Sequence, residues 1–244
     1  MTPLLDVKDI RKSFGALQAI GGVSFTLNRG EILGIAGPNG SGKSTLFNIL
    51  TKIPFPPDSG EVSLDGKPLK SLGPRQIVDA GLLRIFQTEM DFESLTVLEN
   101  ILVSMPDKPG SGTPSSKQKK ADELLELFGL TAHSDRLAGE INVYDRKRLM
   151  VATAFAHNPL VLLLDEPAAG LSKPEIEEMV ELIRQLNRLG VSIILIEHII
   201  PLLVAVSDRL IVLNFGEVLA EGLPREIVRN PKVVEAYIGN QSDG

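Results

Sequence analysis

Apolar and polar positions along the chain switch repeatedly between a period of two and a helical period, which predicts alternating strands and helices. Residues 4–10 alternate, and residues 23–27 do so before an Asn28-Arg29-Gly30 turn, so both read as strands. The run EILGIA at 31–36 is apolar enough for a buried strand and leads straight into a glycine-rich turn. A helix follows over 43–50 and stops before Pro54, Pro56 and Pro57. SGEVSLDG at 59–66 predicts a strand with hairpin character, and 82–86 a further short strand.

Beyond Asn100 the pattern changes. Residues 106–116, PDKPGSGTPSS, are turn-formers with almost nothing to bury, which predicts an exposed loop. An amphipathic helix over 117–128, with Leu124, Leu125 and Phe128 on its apolar side, and a second helix over 146–156 make a small helical lobe. Strands at 160–164, 191–196 and 209–214 then alternate with helices at 174–189 and 199–206, and a hairpin turns through Gly216. This alternation returns the chain to an α/β core.

Composition narrows the class without fixing it. The 244 residues carry a net charge of -6, which gives no reason to expect non-specific nucleic-acid binding. No apolar run approaches the roughly 18–20 residues of a membrane span. The first residues carry acids where a secretory signal needs a basic and then an apolar stretch, so a cytoplasmic location is expected. Cysteine is absent, and the three histidines are not spaced as a metal site.

The chemistry concentrates in two motifs. GPNGSGKST, comprising Gly37, Pro38, Asn39, Gly40, Ser41, Gly42, Lys43, Ser44 and Thr45, contains the full G-x-x-x-x-G-K-S pattern between a strand and a helix. Its glycines let backbone N–H groups surround a phosphate, and the helix N-terminus adds its positive dipole end. Lys43 brings a point charge to the β- and γ-phosphates, and the Ser44 hydroxyl is placed to ligate Mg²⁺. The second motif, LVLLLDEP at 160–167, delivers Asp165 at a strand end as a Mg²⁺ ligand, with Glu166 positioned to polarise an attacking water. His198, just past another strand, either reaches a γ-phosphate or serves as a satisfied structural histidine. Gln87 ends the strand LLRIF, as a surface residue or a Mg²⁺ or water contact at the lobe boundary. Phe14 reads as an adenine-stacking ring or a core residue. The basic residues Arg146, Lys147 and Arg148 read as a charged helix face.

Together these residues resemble the ATP-binding cassette family over essentially the whole chain, most closely the importer cassettes for branched-chain amino acids, urea and short amides. FQTE at 86–89, AAGLS at 168–172 and the histidine of LIEHI at 195–199 fall in the family's order, and LAGE at 137–140 and PKVVEAYIG at 231–239 support the match. The resemblance implies a P-loop NTPase (RecA-like) α/β core with an N-terminal antiparallel β subdomain and an inserted α-helical subdomain. It implies one domain, 1–244, with a nucleotide-binding core at 1–87 and 158–244 and the helical subdomain at 88–157. ATP and Mg²⁺ are the implied ligands. The implied partners are a second cassette, integral membrane permease subunits touching the lobe around 88–105, and a separate solute-binding protein. Carried onto this chain, Phe14 is the adenine-stacking aromatic, Gln87 the lobe-coupled glutamine, Glu166 the catalytic carboxylate and His198 the switch histidine.

One departure stands out. The family's signature loop reads approximately L-S-G-G-Q, whereas this chain has Ile141, Asn142, Val143, Tyr144 and Asp145. Tyr144 adds bulk where the partner's ATP is expected, and Asp145 adds negative charge unless its side chain turns away; Asn142 keeps a donor there, and the whole predicts a poor signature surface. A heterodimer with a normal partner cassette is favoured on the family's habit, and a slow homodimer is the alternative. A soluble non-transport cassette ATPase, or a nucleotide-binding regulatory subunit without useful hydrolysis, are the competing functions.

Overall fold

The computed structural model describes residues 2–86, 91–106 and 113–239. Two sheets organise it. The first is antiparallel, with strands β1 (Leu5–Phe14), β2 (Leu17–Leu27), β4 (Ser59–Leu64) and β5 (Lys67–Pro68) in the order β2-β1-β4-β5. The second contains β3 (Ile32–Ala36), β6 (Leu82–Ile85), β7 (Val161–Asp165), β8 (Ser192–Ile196), β9 (Arg209–Asn214) and β10 (Glu217–Gly222) in the order β10-β9-β3-β8-β7-β6. Its pairs are parallel except β9 with β10, so the strands must be joined by crossovers that cover both faces.

That coverage explains the continuous apolar runs. Val161 and Leu163 of β7 face one core shared with the antiparallel sheet and with α1 (Lys43–Thr51), which contributes Leu46, Phe47, Ile49 and Leu50. Leu162 and Leu164 face a second core, with Met179, Ile183 and Leu186 of α6 (Lys173–Arg188) and Leu202 and Leu203 of α7 (Ile200–Val206). The helical lobe joins this second core through α3 (Val97–Ser104), α4 (Pro114–Leu127) and α5 (Val143–Phe155). A short α2 (Pro74–Asp79) precedes β6, and α8 (Pro224–Ile227) and α9 (Pro231–Gly239) end the chain.

Several element ends differ from the pattern-based expectation, each for a local reason. Helix α4 begins at Pro114, inside the span expected as loop, because Thr113 caps it through the Ser116 N–H and proline suits the first helical turn. Residues 107–112 of that loop lie outside the described residues. Helix α5 begins at Val143 rather than 146 because Asn142 accepts the Asp145 N–H at 2.8 Å. Helix α3 went unread despite a capping box between Thr96 and Glu99. Strand β2 is twice the expected length, since the hairpin from Phe14 to Leu17 zips back along β1 through register shifts.

Leu163 is fully buried in the central sheet. Leu163→Ala should therefore lower unfolding stability by about 2–5 kcal/mol, read as a lower urea midpoint; an unshifted midpoint would contradict this placement of the core.

Candidate functional site

Strand register builds the site. Ile35 of β3 is paired with Ile196 of β8, and Ile196 with Asp165 of β7. Ile85 of β6 is paired with Leu164, one residue before Asp165. The parallel strands therefore end almost on one row, and whatever follows each strand converges: Gly37 after β3, Glu166 after β7, Glu197 and His198 after β8. This is the carboxyl edge where open α/β sheets bind ligands.

The loop from Gly37 to Gly42 is folded by close approach. At Gly37, with φ 149°, a Cβ would lie 2.2 Å from the Leu213 carbonyl oxygen, and at Gly42, with φ 101°, it would lie 2.7 Å from that of Ala19. Only glycine fits either place. The loop opens into α1, whose first residue Lys43 is 6% exposed. Its ammonium donates to the Gly37 and Pro38 carbonyls at 2.7 and 2.9 Å, and burial holds its pKa below the ordinary value. An open pocket of about 450 Å³ lies against Gly37, Gly40, Ser41 and His198.

The carboxylates diverge in environment. Asp165 is 4% exposed, and its Oδ2 takes a 2.5 Å hydrogen bond from Arg84 of β6. Its Oδ1 is buried and has no hydrogen-bond partner among the described residues, which leaves an anionic oxygen for a cation. Such an oxygen, with the hydroxyl of Ser44 in the first turn of α1, suits Mg²⁺, which takes one or two side-chain oxygens and completes its shell with phosphate and water. Glu166 has φ 50°, a left-handed conformation that costs about 1–3 kcal/mol for such a residue and is typical of functional sites. Its Oε1 lies 2.8 Å from His198 Nε2. Glu197, adjacent to the histidine, is 2% exposed and accepts the N–H groups of Ala168 and His198 at 2.7 and 3.1 Å. Burial raises its pKa, and these N–H donors pull the other way.

The structure thus brings Lys43, Ser44, Asp165, Glu166 and His198 to one edge. Gln87 lies outside the described residues. Phe14 is 45% exposed, edge-on to Phe55 at 4.9 Å with Lys12 over its ring, so it is a surface aromatic and not a core residue. Arg84, Glu197 and Tyr237 were missed. Arg84 had a signal, a lone cation inside an apolar strand; Glu197 and Tyr237 had none that local sequence could separate from an ordinary surface residue.

The signature-like segment differs from expectation. Tyr144 and Asp145 turn into the protein, 8% and 3% exposed, and Ile141 is buried as well. Asp145 is ion-paired with Arg148 and lies 3.2 Å from His133, while Arg148 also covers the Tyr144 ring. The expected clash of bulk and charge at the surface is absent, because helix α5 starts at this point and directs both side chains inward. Asn142 and Val143 are exposed, and Asn142 spends its oxygen and an amide hydrogen on Asp145. Arg146 likewise faces inward, bonded to Asp91 and Glu93, so it bridges the lobe where a solvated helix face was expected.

Comparison with known proteins decides the family. The ABC transporter family model matches residues 20–169, and the branched-chain amino acid ATP-binding cassette transporter model matches residues 217–242. The chain belongs to the ABC transporter ATP-binding family. It is 39% identical to the high-affinity branched-chain amino acid transport ATP-binding protein LivG of Escherichia coli K12, covering 97% of this chain and 98% of that one. It is 34% identical to BraF of Pseudomonas aeruginosa over the same shares. An ATP-binding cassette of an ABC transporter, solved in its ADP conformation, superposes with a TM-score of 0.88 at 31% identity, over 98% of this chain and all of that one. As a cassette of this family, the chain binds nucleotide and is the ATPase that couples energy to a transporter. Among the described residues of this cassette, no helix is long and apolar enough to cross a membrane.

Both tyrosines of the cassette are shifted. Burial, helped by the Glu178 carboxylate, pushes the Tyr144 hydroxyl up to about 12, and burial also raises that of Tyr237. A raised folded-state value favours folding below the ordinary phenol pKa of 10.0, and that contribution fades as pH climbs toward 12. A spectrophotometric titration should find Tyr144 largely protonated at pH 10.0 in the folded protein and Tyr237 less ionised there than in denaturant. Folded and denatured protein ionising alike at that pH would contradict the burial of these rings.

Proposed function

We propose that the chain powers an importer of branched-chain amino acids or related small solutes from the cytoplasmic face of the membrane, as one half of a cassette dimer. The observation that carries this reading is the single row of strand ends on which the phosphate loop, Asp165 and the Glu166–His198 pair meet. The near full-length similarity to LivG and BraF, and the tail matched by the branched-chain family model, support the solute class.

In this reading the N–H groups of residues 39–45 hold the β- and γ-phosphates, and Lys43 exchanges its carbonyl partners for phosphate oxygens. Ser44 and Asp165 hold Mg²⁺, which neutralises charge on the phosphates when bound. Glu166 accepts a hydrogen bond from the attacking water, while His198 donates to the γ-phosphate. The Glu166–His198 contact holds the base and the donor side by side at the strand ends where the γ-phosphate is read to sit. Gln87 supplies the contact between this edge and the lobe, and the exposed face of Phe14 stacks on adenine. Closure of a second cassette over the pocket completes the site.

That second cassette is a different chain. With one exposed apolar residue, Val143, and an Asn142 largely committed to its own helix, this signature loop offers few donors to a partner's nucleotide. A partner with a full signature serves this chain's site better than this chain serves the partner's. Permease subunits dock around residues 88–105, where Phe92 and Val103 are 58% and 57% exposed.

Turnover measured with purified chain should be low alone and rise on adding the partner cassette. Glu166→Gln should lower kcat by about 100-fold or more while ATP still binds. Turnover by the chain alone that climbs more steeply than its concentration would overturn the heterodimer, and an active Glu166→Gln would overturn the assigned base.

A further inference from the structure

The chain's C-terminal helix returns to the beginning of the phosphate loop. Tyr237 of α9 accepts a hydrogen bond from the Gly37 N–H at 2.7 Å, across 200 residues of sequence. Gly37 is buried, and a side chain there would meet the Leu213 carbonyl oxygen, so the backbone runs close against β9 at this point. The Gly37 carbonyl holds the Lys43 ammonium. One glycine therefore has its donor committed to the tail and its acceptor to the lysine that serves phosphate.

Helix α9 itself is lightly held. Val233 is its buried apolar anchor, Tyr237 is half-buried, and Val234 and Ile238 are 41% and 64% exposed. An element with so little buried surface sits at the low-stability end of a fold and opens before the rest.

We infer that docking of α9 sets nucleotide affinity, with Tyr237 as the positioning residue that braces the first turn of the phosphate loop. When phosphate draws Lys43 away, the Gly37 carbonyl loses that partner and the tyrosine becomes the side chain still holding the residue. The brace therefore matters more in the loaded state than in the empty one. Coupling of this kind is reciprocal: a docked tail tightens nucleotide binding, and nucleotide secures the tail. This inference rests on the reading of residues 37–45 as the phosphate site. The phenylalanine variant isolates the hydroxyl, because it keeps the ring and its packing.

Calorimetric titration of ADP with Mg²⁺ into wild type, Tyr237→Phe and Lys43→Ala tests it, alongside hydrogen exchange over residues 231–239. Losing one hydrogen bond and leaving a buried N–H unpaired should weaken ADP binding by about 3- to 10-fold in Tyr237→Phe. ADP should slow exchange of the tail in wild type and fail to do so in the variant. Affinity unchanged in Tyr237→Phe, or tail exchange in wild type indifferent to ADP, overturns the inference. Should the variant fold poorly, the wild-type exchange decides alone. Lys43→Ala separates the two readings: if it binds ADP like wild type, the phosphate site is misplaced and the brace falls with it.

Discussion

Lys43 is a buried ammonium held by the carbonyl oxygens of its own loop. Removing such a charge from water is unfavourable, and uncharged acceptors compensate it only in part. The lowered pKa of Lys43 registers that desolvation, against which Glu166 and Asp165 act only through space. Such a site is completed by an anion that brings several oxygens at once, and the start of α1 beside it favours the same kind of ligand. The glycines, the helix start and the tail contact on Gly37 all maintain the backbone path that keeps this cation buried and available.

The rest of the site follows from where parallel strands stop. Because Ile35, Ile196 and Asp165 share a row, residues far apart in sequence need no long loops to meet. Arg84 enters from the neighbouring strand, fixes one oxygen of Asp165 and leaves the other free. Stacked between Phe47 and Phe86, it is held in place by rings on two elements. Glu197 performs a comparable task by tying the loop after β7 to the histidine after β8. Asp165 and His198 are thus positioned by buried charges that do not themselves line the pocket.

Much of this was legible in the residue pattern. EILGIA, LVLLLD and the strand before His198 announced themselves as buried strands, because both faces of a covered parallel sheet are apolar. The phosphate loop was legible because its backbone geometry demands particular residues at particular spacings. The signature-like segment was not, since a linear string does not tell which way a helix start directs its side chains. Tyr144 and Asp145 looked like surface obstacles and proved to be interior residues of the lobe. Tyr237 was beyond reach for a different reason, since its partner lies at the opposite end of the chain.

In the proposed function, the free oxygen of Asp165 and the buried Lys43 together make a site for a nucleotide carrying its magnesium. Equilibrium binding of ATP to wild type and Asp165→Asn, each with and without Mg²⁺, tests it most directly. Mg²⁺ should tighten binding to wild type and have little effect on the variant, whose Mg²⁺-free affinity should be equal to or above that of wild type. An Asp165→Asn protein that responds to Mg²⁺ as strongly as wild type would contradict it.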